Sequence, residues 1–142
     1  MPERSSLQTV TMFYGAVFLI IGILGFIPGI TSHYGDLDFA GDDSGAELLG
    51  LFQTSILLNL VHVLFGIGGL ALARTWTGSR AYLLGGGVIY LGLWLYGLLV
   101  DKDSEANFIP FNTADDWLHF TLGVTMILFG YLLGLGRRPL PA

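Results

Sequence analysis

Four polar residues in an otherwise apolar chain have the types and the spacing to do chemistry. Asn59 and His62 stand three positions apart, as do Asp116 and His119. On a helix each pair occupies one face. Imidazole carries protons and binds metals, so these faces admit three chemistries. His62 and His119 could be the axial ligands of a haem, or one of them could hold a haem or chlorophyll-type tetrapyrrole. With Asp116 they could bind a metal. A proton path could instead run from Asp115, Asp116 and His119 to His62 and Asn59. The plain alternative makes Asn59, His62, Asp116 and His119 the polar interior of a bundle. Hydrogen bonds between helices in such a place contribute about 0.6–2 kcal/mol each.

Spacing weighs on these options. His62 lies twelve residues from Arg74, and His119 eighteen from Arg137. At 1.5 Å per residue the two histidines then differ in depth by roughly 9 Å, which disfavours a bridging haem or a shared metal. Beyond Asn59 and His62 the stripe continues as glycine, alanine and methionine, so no proton relay continues.

A separate acidic segment, Asp36-Leu-Asp38-Phe-Ala40-Gly41-Asp42-Asp43-Ser44-Gly-Ala-Glu47, follows much of the spacing of a calcium loop. It has acids at positions one and three, Gly at six and Glu at twelve. Asp36, Asp38 and Glu47 are its candidate calcium ligands. Ala40 replaces an oxygen ligand at position five, and Asp43 an apolar residue at position eight. Solvated acidity is the simpler account of the segment, since acid-rich loops match such patterns by chance.

The elements that must position these residues follow from composition. Of 142 residues, 53% are hydrophobic, 12% are charged and 21 are glycine. The charged share is half the usual ~25%. Such a chain cannot clothe a soluble core in polar surface. With six basic residues against eleven acidic ones, no basic patch suits nucleic acid. The lack of cysteine excludes disulfides, thiolate zinc sites and iron–sulfur clusters.

Four apolar stretches reach the ~20 residues needed to cross a bilayer: about 9–27, 48–73, 81–100 and 117–135. They predict an all-α membrane protein, a single domain over 1–142 built as a four-helix transmembrane bundle. Ser5…Gln8, Ser44…Glu47 and Thr113…Asp116 each read as a capping box at a helix start. The first stretch lacks a cleavage site and reads as a retained span rather than a signal peptide.

Charge sets the orientation. With four crossings, Arg4, Arg74, Arg80, Arg137 and Arg138 share one side with one acid; Lys102 and ten acids share the other. The positive-inside rule puts both termini in the cytoplasm and the acidic segments 29–47 and 101–116 outside.

The stripes Asn59, His62, Gly66, Gly69, Ala73 and Asp116, His119, Gly123, Met126, Gly130 match. Gly15, Phe18, Gly22, Gly25 and Gly87, Tyr90, Trp94, Gly97 match more weakly. Two similar helical hairpins of one parity follow, a parallel repeat. Its glycines allow close helix approach, in Gly25-x-x-x-Gly29 and Gly130-x-x-x-Gly134 among others.

Gly22-Ile-Leu-Gly25-Phe-Ile-Pro-Gly, Asn59-Leu-Val-His62, Tyr82-Leu-Leu-Gly-Gly-Gly, Leu93-Trp94-Leu-Tyr96-Gly and Asn112-Thr-Ala-Asp-Asp-Trp-Leu-His119 span nearly the whole chain. Together they resemble an uncharacterised family of small bacterial four-span membrane proteins, a domain of unknown function. The resemblance implies a bacterial inner-membrane protein and brings no activity or ligand with it. The residues themselves favour a non-enzymatic accessory subunit, meeting lipid and either other membrane subunits or further copies of itself. A tetrapyrrole or metal protein using His62 or His119 is the second reading. A small oligomeric transporter or channel is the third. Tyr96, Asn107, Asn112, Asp116 and His119 form a group worth testing on chemical grounds.

Overall fold

The computed structural model describes residues 4–136. Four helices dominate: α1 (Ser6–Leu24), α2 (Ile56–Leu72), α3 (Trp76–Leu99) and α4 (Thr113–Leu132), the last prolonged by a 3-10 turn, Leu133–Leu135. α1 packs along α2 and α3 along α4. The two pairs close on a core of Phe18, Tyr82, Leu83, Tyr90 and Met126. α1, α3 and α4 with its 3-10 extension are long and apolar enough to cross a membrane. α2 is equally apolar but has 17 residues. Arg137 and Arg138, which contribute to the charge asymmetry, lie outside the described residues.

Local chemistry explains where the helices start. Ser5 and Gln8 form the capping box expected of them, each satisfying a free amide of the other. The Thr113…Asp116 box is corrected by one residue. Asn112 is the N-cap, and Asp115 closes the box, because Asn is the better cap and tolerates the extended backbone.

The start of the second span needs a larger correction. Ser44 does not cap a helix. Its hydroxyl donates to the Thr54 carbonyl at 2.6 Å and accepts from Asp38 N at 3.2 Å. Ser55 caps α2 instead. Residues 48–55 are therefore not helical.

They belong to a small antiparallel sheet in the order β1 (Thr31–Ser32), β2 (Glu47–Leu48) and β3 (Phe52–Gln53). Thr31 pairs with Leu48, and Leu48 with Phe52. The β2–β3 turn puts both Leu49 and Gly50 at positive φ, 57° and 65°. Leu49 holds this uncommon conformation with its side chain exposed. The sheet covers one end of the bundle. The α2–α3 link, Ala73–Thr75, lies at the far end, where Gln8 donates to the carbonyls of Ala73 and Arg74.

The backbones come close within each pair. A Cβ on Gly15 would stand 2.8 Å from Leu70 N, and one on Gly22 2.7 Å from Val63 N. Between α3 and α4, a Cβ on Gly123 would stand 2.9 Å from Leu91 N.

Candidate functional site

His62 and His119 are each the seventh residue of their helices, counted from Ile56 and Thr113. The structure brings them to the same cleft. The expected depth mismatch came from measuring at the far ends, where α4 continues past the level at which α2 stops.

The cleft measures about 170 Å³. Val17, Phe18 and Ile21 of α1 form one wall, Leu58 and His62 of α2 the second, and Leu118, His119 and Leu122 of α4 the third. Leu48, Leu49, Phe52, Gln53 and Thr54 roof it from the sheet. It lies along the seam where α1 and α4 barely touch.

An aromatic stack forms the floor. Phe18 is fully buried and lies 5.1 Å from Tyr90, centroid to centroid. His62 stacks on Phe18 at 6.0 Å, and His119 leans on Tyr90 at 5.5 Å. Phe111 meets His119 edge-on at 4.4 Å. These contacts fix both imidazole planes.

Neither ring is hydrogen-bonded among the described residues. His119 is 2% exposed, and its Nδ1 has no partner among the described residues. His62 is half-buried, and its one ring contact among the described residues is the stack on Phe18. A buried donor or acceptor left unmade costs roughly 1–3 kcal/mol, so the orphaned Nδ1 of His119 on this cleft needs a reason.

Asn59 is placed differently. Its Oδ1 accepts from Thr54 Oγ1 at 2.6 Å, and its side chain fills the space a Cβ on Gly25 would need. It bonds neither His62 nor His119, and its Nδ2 is buried and unpartnered.

Two acids at the start of α4 divide the remaining work. Asp115 Oδ2 accepts from its own cap, Asn112 N at 2.9 Å, and from Gln53 N at 3.1 Å. Asn112 Nδ2 donates to Leu51 O at 2.8 Å. These bonds fasten the cleft's roof to α4. Asp116 turns to α3, where Lys102 Nζ meets it at 2.8 Å and also donates to Gly97 O at 2.6 Å. Asn107 holds the loop beneath, donating to Lys102 O and accepting from Phe111 N at 3.1 Å each. Tyr96 donates to Ala106 O. Of the group Tyr96, Asn107, Asn112, Asp116 and His119, only His119 faces the cleft. Lys102 and Gln53 are members the sequence did not single out; Asp115 was named only for a proton path, and the Asn112-x-x-Asp115 spacing was the available signal for its capping role.

No group of three or more His, Asp or Glu side chains is placed to hold a metal among the described residues. A site of His62, His119 and Asp116 is not assembled, because Asp116 points to Lys102. The calcium ligands are not assembled either. Asp36 ends a 3-10 turn (Tyr34–Asp36), while Glu47 is drawn into β2 opposite Ser32.

A family model matches residues 8–132 of this chain. The chain belongs to DUF4383, a domain of unknown function. No curated protein and no solved structure matches it. The match takes in the whole cleft, from Val17 on α1 to Leu122 on α4.

Proposed function

We infer that this DUF4383 chain is a multi-pass protein of the bacterial inner membrane that crosses four times. Its role is that of a small accessory subunit without catalysis of its own. The observation that carries this reading is the apolar surface carried by every helix. Phe13 on α1, Leu64 on α2, Val88 on α3 and Leu128 on α4 are 66%, 68%, 64% and 48% exposed. A soluble monomer rarely shows apolar patches of more than a few hundred Å²; lipid and neighbouring membrane subunits are their natural cover.

α2 counts as the fourth crossing on this reading. Its 17 residues span about 25 Å, the short end of what a bilayer accepts. Both termini then lie in the cytoplasm, and the sheet and acidic loops outside. The shared position of His62 and His119 supports the parallel repeat of two hairpins. Gly15, Gly22 and Gly123 support glycine contact as its means of packing.

The test has two parts. With D42C and T77C introduced singly in cells, position 42 takes a membrane-impermeant thiol reagent from outside, and position 77 only after lysis. The reverse pattern sinks the topology. In mild detergent the chain runs with a stoichiometric partner or as an oligomer; a bare monomer ends the subunit reading.

A cofactor reading is favoured by one observation, the two unpaired imidazoles on one cleft. The channel reading draws no support, since the stripe below His119 is Gly123 and the fully buried Met126.

A further inference from the structure

We propose that the cleft between α1, α2 and α4 binds the head of a neutral, lipid-soluble phenol, quinol or quinone, with His62 and His119 hydrogen-bonding its ring oxygens. The inference deepens the reading of the chain as a membrane protein and rests on it.

Size comes first. An apolar cavity of about 150 Å³ takes up one benzene, and this cleft measures about 170 Å³. One substituted ring fits. A haem or chlorophyll macrocycle joins four pyrrole rings and fits only if the helices part. A ligand longer than its head must leave its tail outside, and the thinly packed α1–α4 seam provides that exit toward lipid.

Charge comes second. Asp115 is the single charged residue on the walls, and its Oδ2 already accepts two backbone N–H groups. Lys102 is occupied by Asp116 and Gly97 O. No cation faces the cleft, so a phosphate head has nothing to neutralise it. The occupant is uncharged.

Hydrogen bonding comes third. A neutral imidazole carries one donor and one acceptor. It therefore accepts from a quinol hydroxyl or donates to a quinone carbonyl. The two rings stand on separate walls, α2 and α4, which suits a ring with oxygens on opposite edges. The Phe18–Tyr90 floor offers an aromatic face to the ring.

The test uses purified protein in detergent with a short-chain alkyl 1,4-benzoquinone, its quinol, and an alkylbenzene of equal chain length. Equilibrium retention and melting temperature are read in wild type, His62→Leu, His119→Leu and the cleft-filling Val17→Phe. The expected result is saturable retention of quinone or quinol, about tenfold weaker in either histidine variant, the loss of one hydrogen bond. Val17→Phe removes it while the protein still melts cooperatively.

Equal retention of the alkylbenzene overturns the proposal, as does failure of both oxygenated probes to bind wild type. Tighter uptake of haem, or displacement of the quinone by an anionic phospholipid, also overturns it. Thiol labelling at positions 42 and 77 reads the topology independently, so binding lost with intact labelling condemns this inference alone.

Discussion

Lys102 Nζ lies 2.8 Å from Asp116 Oδ2, with the lysine 31% and the carboxylate 5% exposed. This ion pair joins the α3–α4 loop to the first turn of α4. Removing one member of a buried pair strands the other charge. Asp116→Asn or Lys102→Met is expected to cost about 2 kcal/mol, the partial exposure of Lys102 keeping it below a fully buried pair. The double variant Lys102→Met/Asp116→Leu recovers part of that loss. Chemical unfolding in mixed micelles measures all three, and additive single losses would show that the charges act separately.

The glycines divide into two classes. A Cβ at Gly66 would run into the backbone of Leu19, which cannot swing aside. Gly66→Ala is expected to destabilise by about 1–3 kcal/mol, the scale of overpacking. Gly68, Gly85 and Gly92 meet nothing within 4 Å. Alanine there improves helix propensity, by up to about 1 kcal/mol. Melting temperatures of the four variants therefore fall on both sides of wild type.

The cap of α4 also holds the cleft's roof. Asn112→Ala removes the N-cap and the bond to Leu51 O. A cap contributes about 1 kcal/mol, and the sheet loses its tether at the same time. Hydrogen exchange is expected to quicken over residues 47–55 more than along α1. Protection unchanged in that segment would mean that Asp115 and Gln53 suffice.

Calcium is expected to leave the protein unmoved. Glu47 lies in the sheet opposite Ser32, away from any three-acid set. Melting with millimolar calcium and with chelator should coincide, and Asp36→Asn should match wild type. A calcium-dependent rise that Asp36→Asn abolishes would require the loop to rearrange on binding.

The helices were legible in the sequence because each is an apolar run, although only α1 began where its cap was read. Ser5 and Gln8 formed their box as read. Ser44 and Glu47 have the same spacing yet cap nothing, since Ser44 is spent on Thr54 and Asp38 within the loop. Periodicity cannot reveal strands of two residues, so the sheet and its left-handed Leu49 were not legible. The polar stripes identified His62 and His119. Their meeting on one cleft was hidden because the sequence ruler began at arginines beyond the far helix ends. Asp116 drew attention by its three-residue step to His119, whereas the roof is fastened by its neighbour Asp115.

Below the two histidines the core is Phe18, Tyr82, Leu83, Tyr90 and Met126. No carboxylate or imidazole follows until the far end of the bundle among the described residues. The layer is aromatic and aliphatic, without a carboxylate or imidazole. A proton delivered to the cleft meets no further carboxylate or imidazole along the described residues. If the chain spans the bilayer as proposed, proton exchange at the histidines stays on one face, and coupling to the other would come from the motion of a bound molecule or from another subunit.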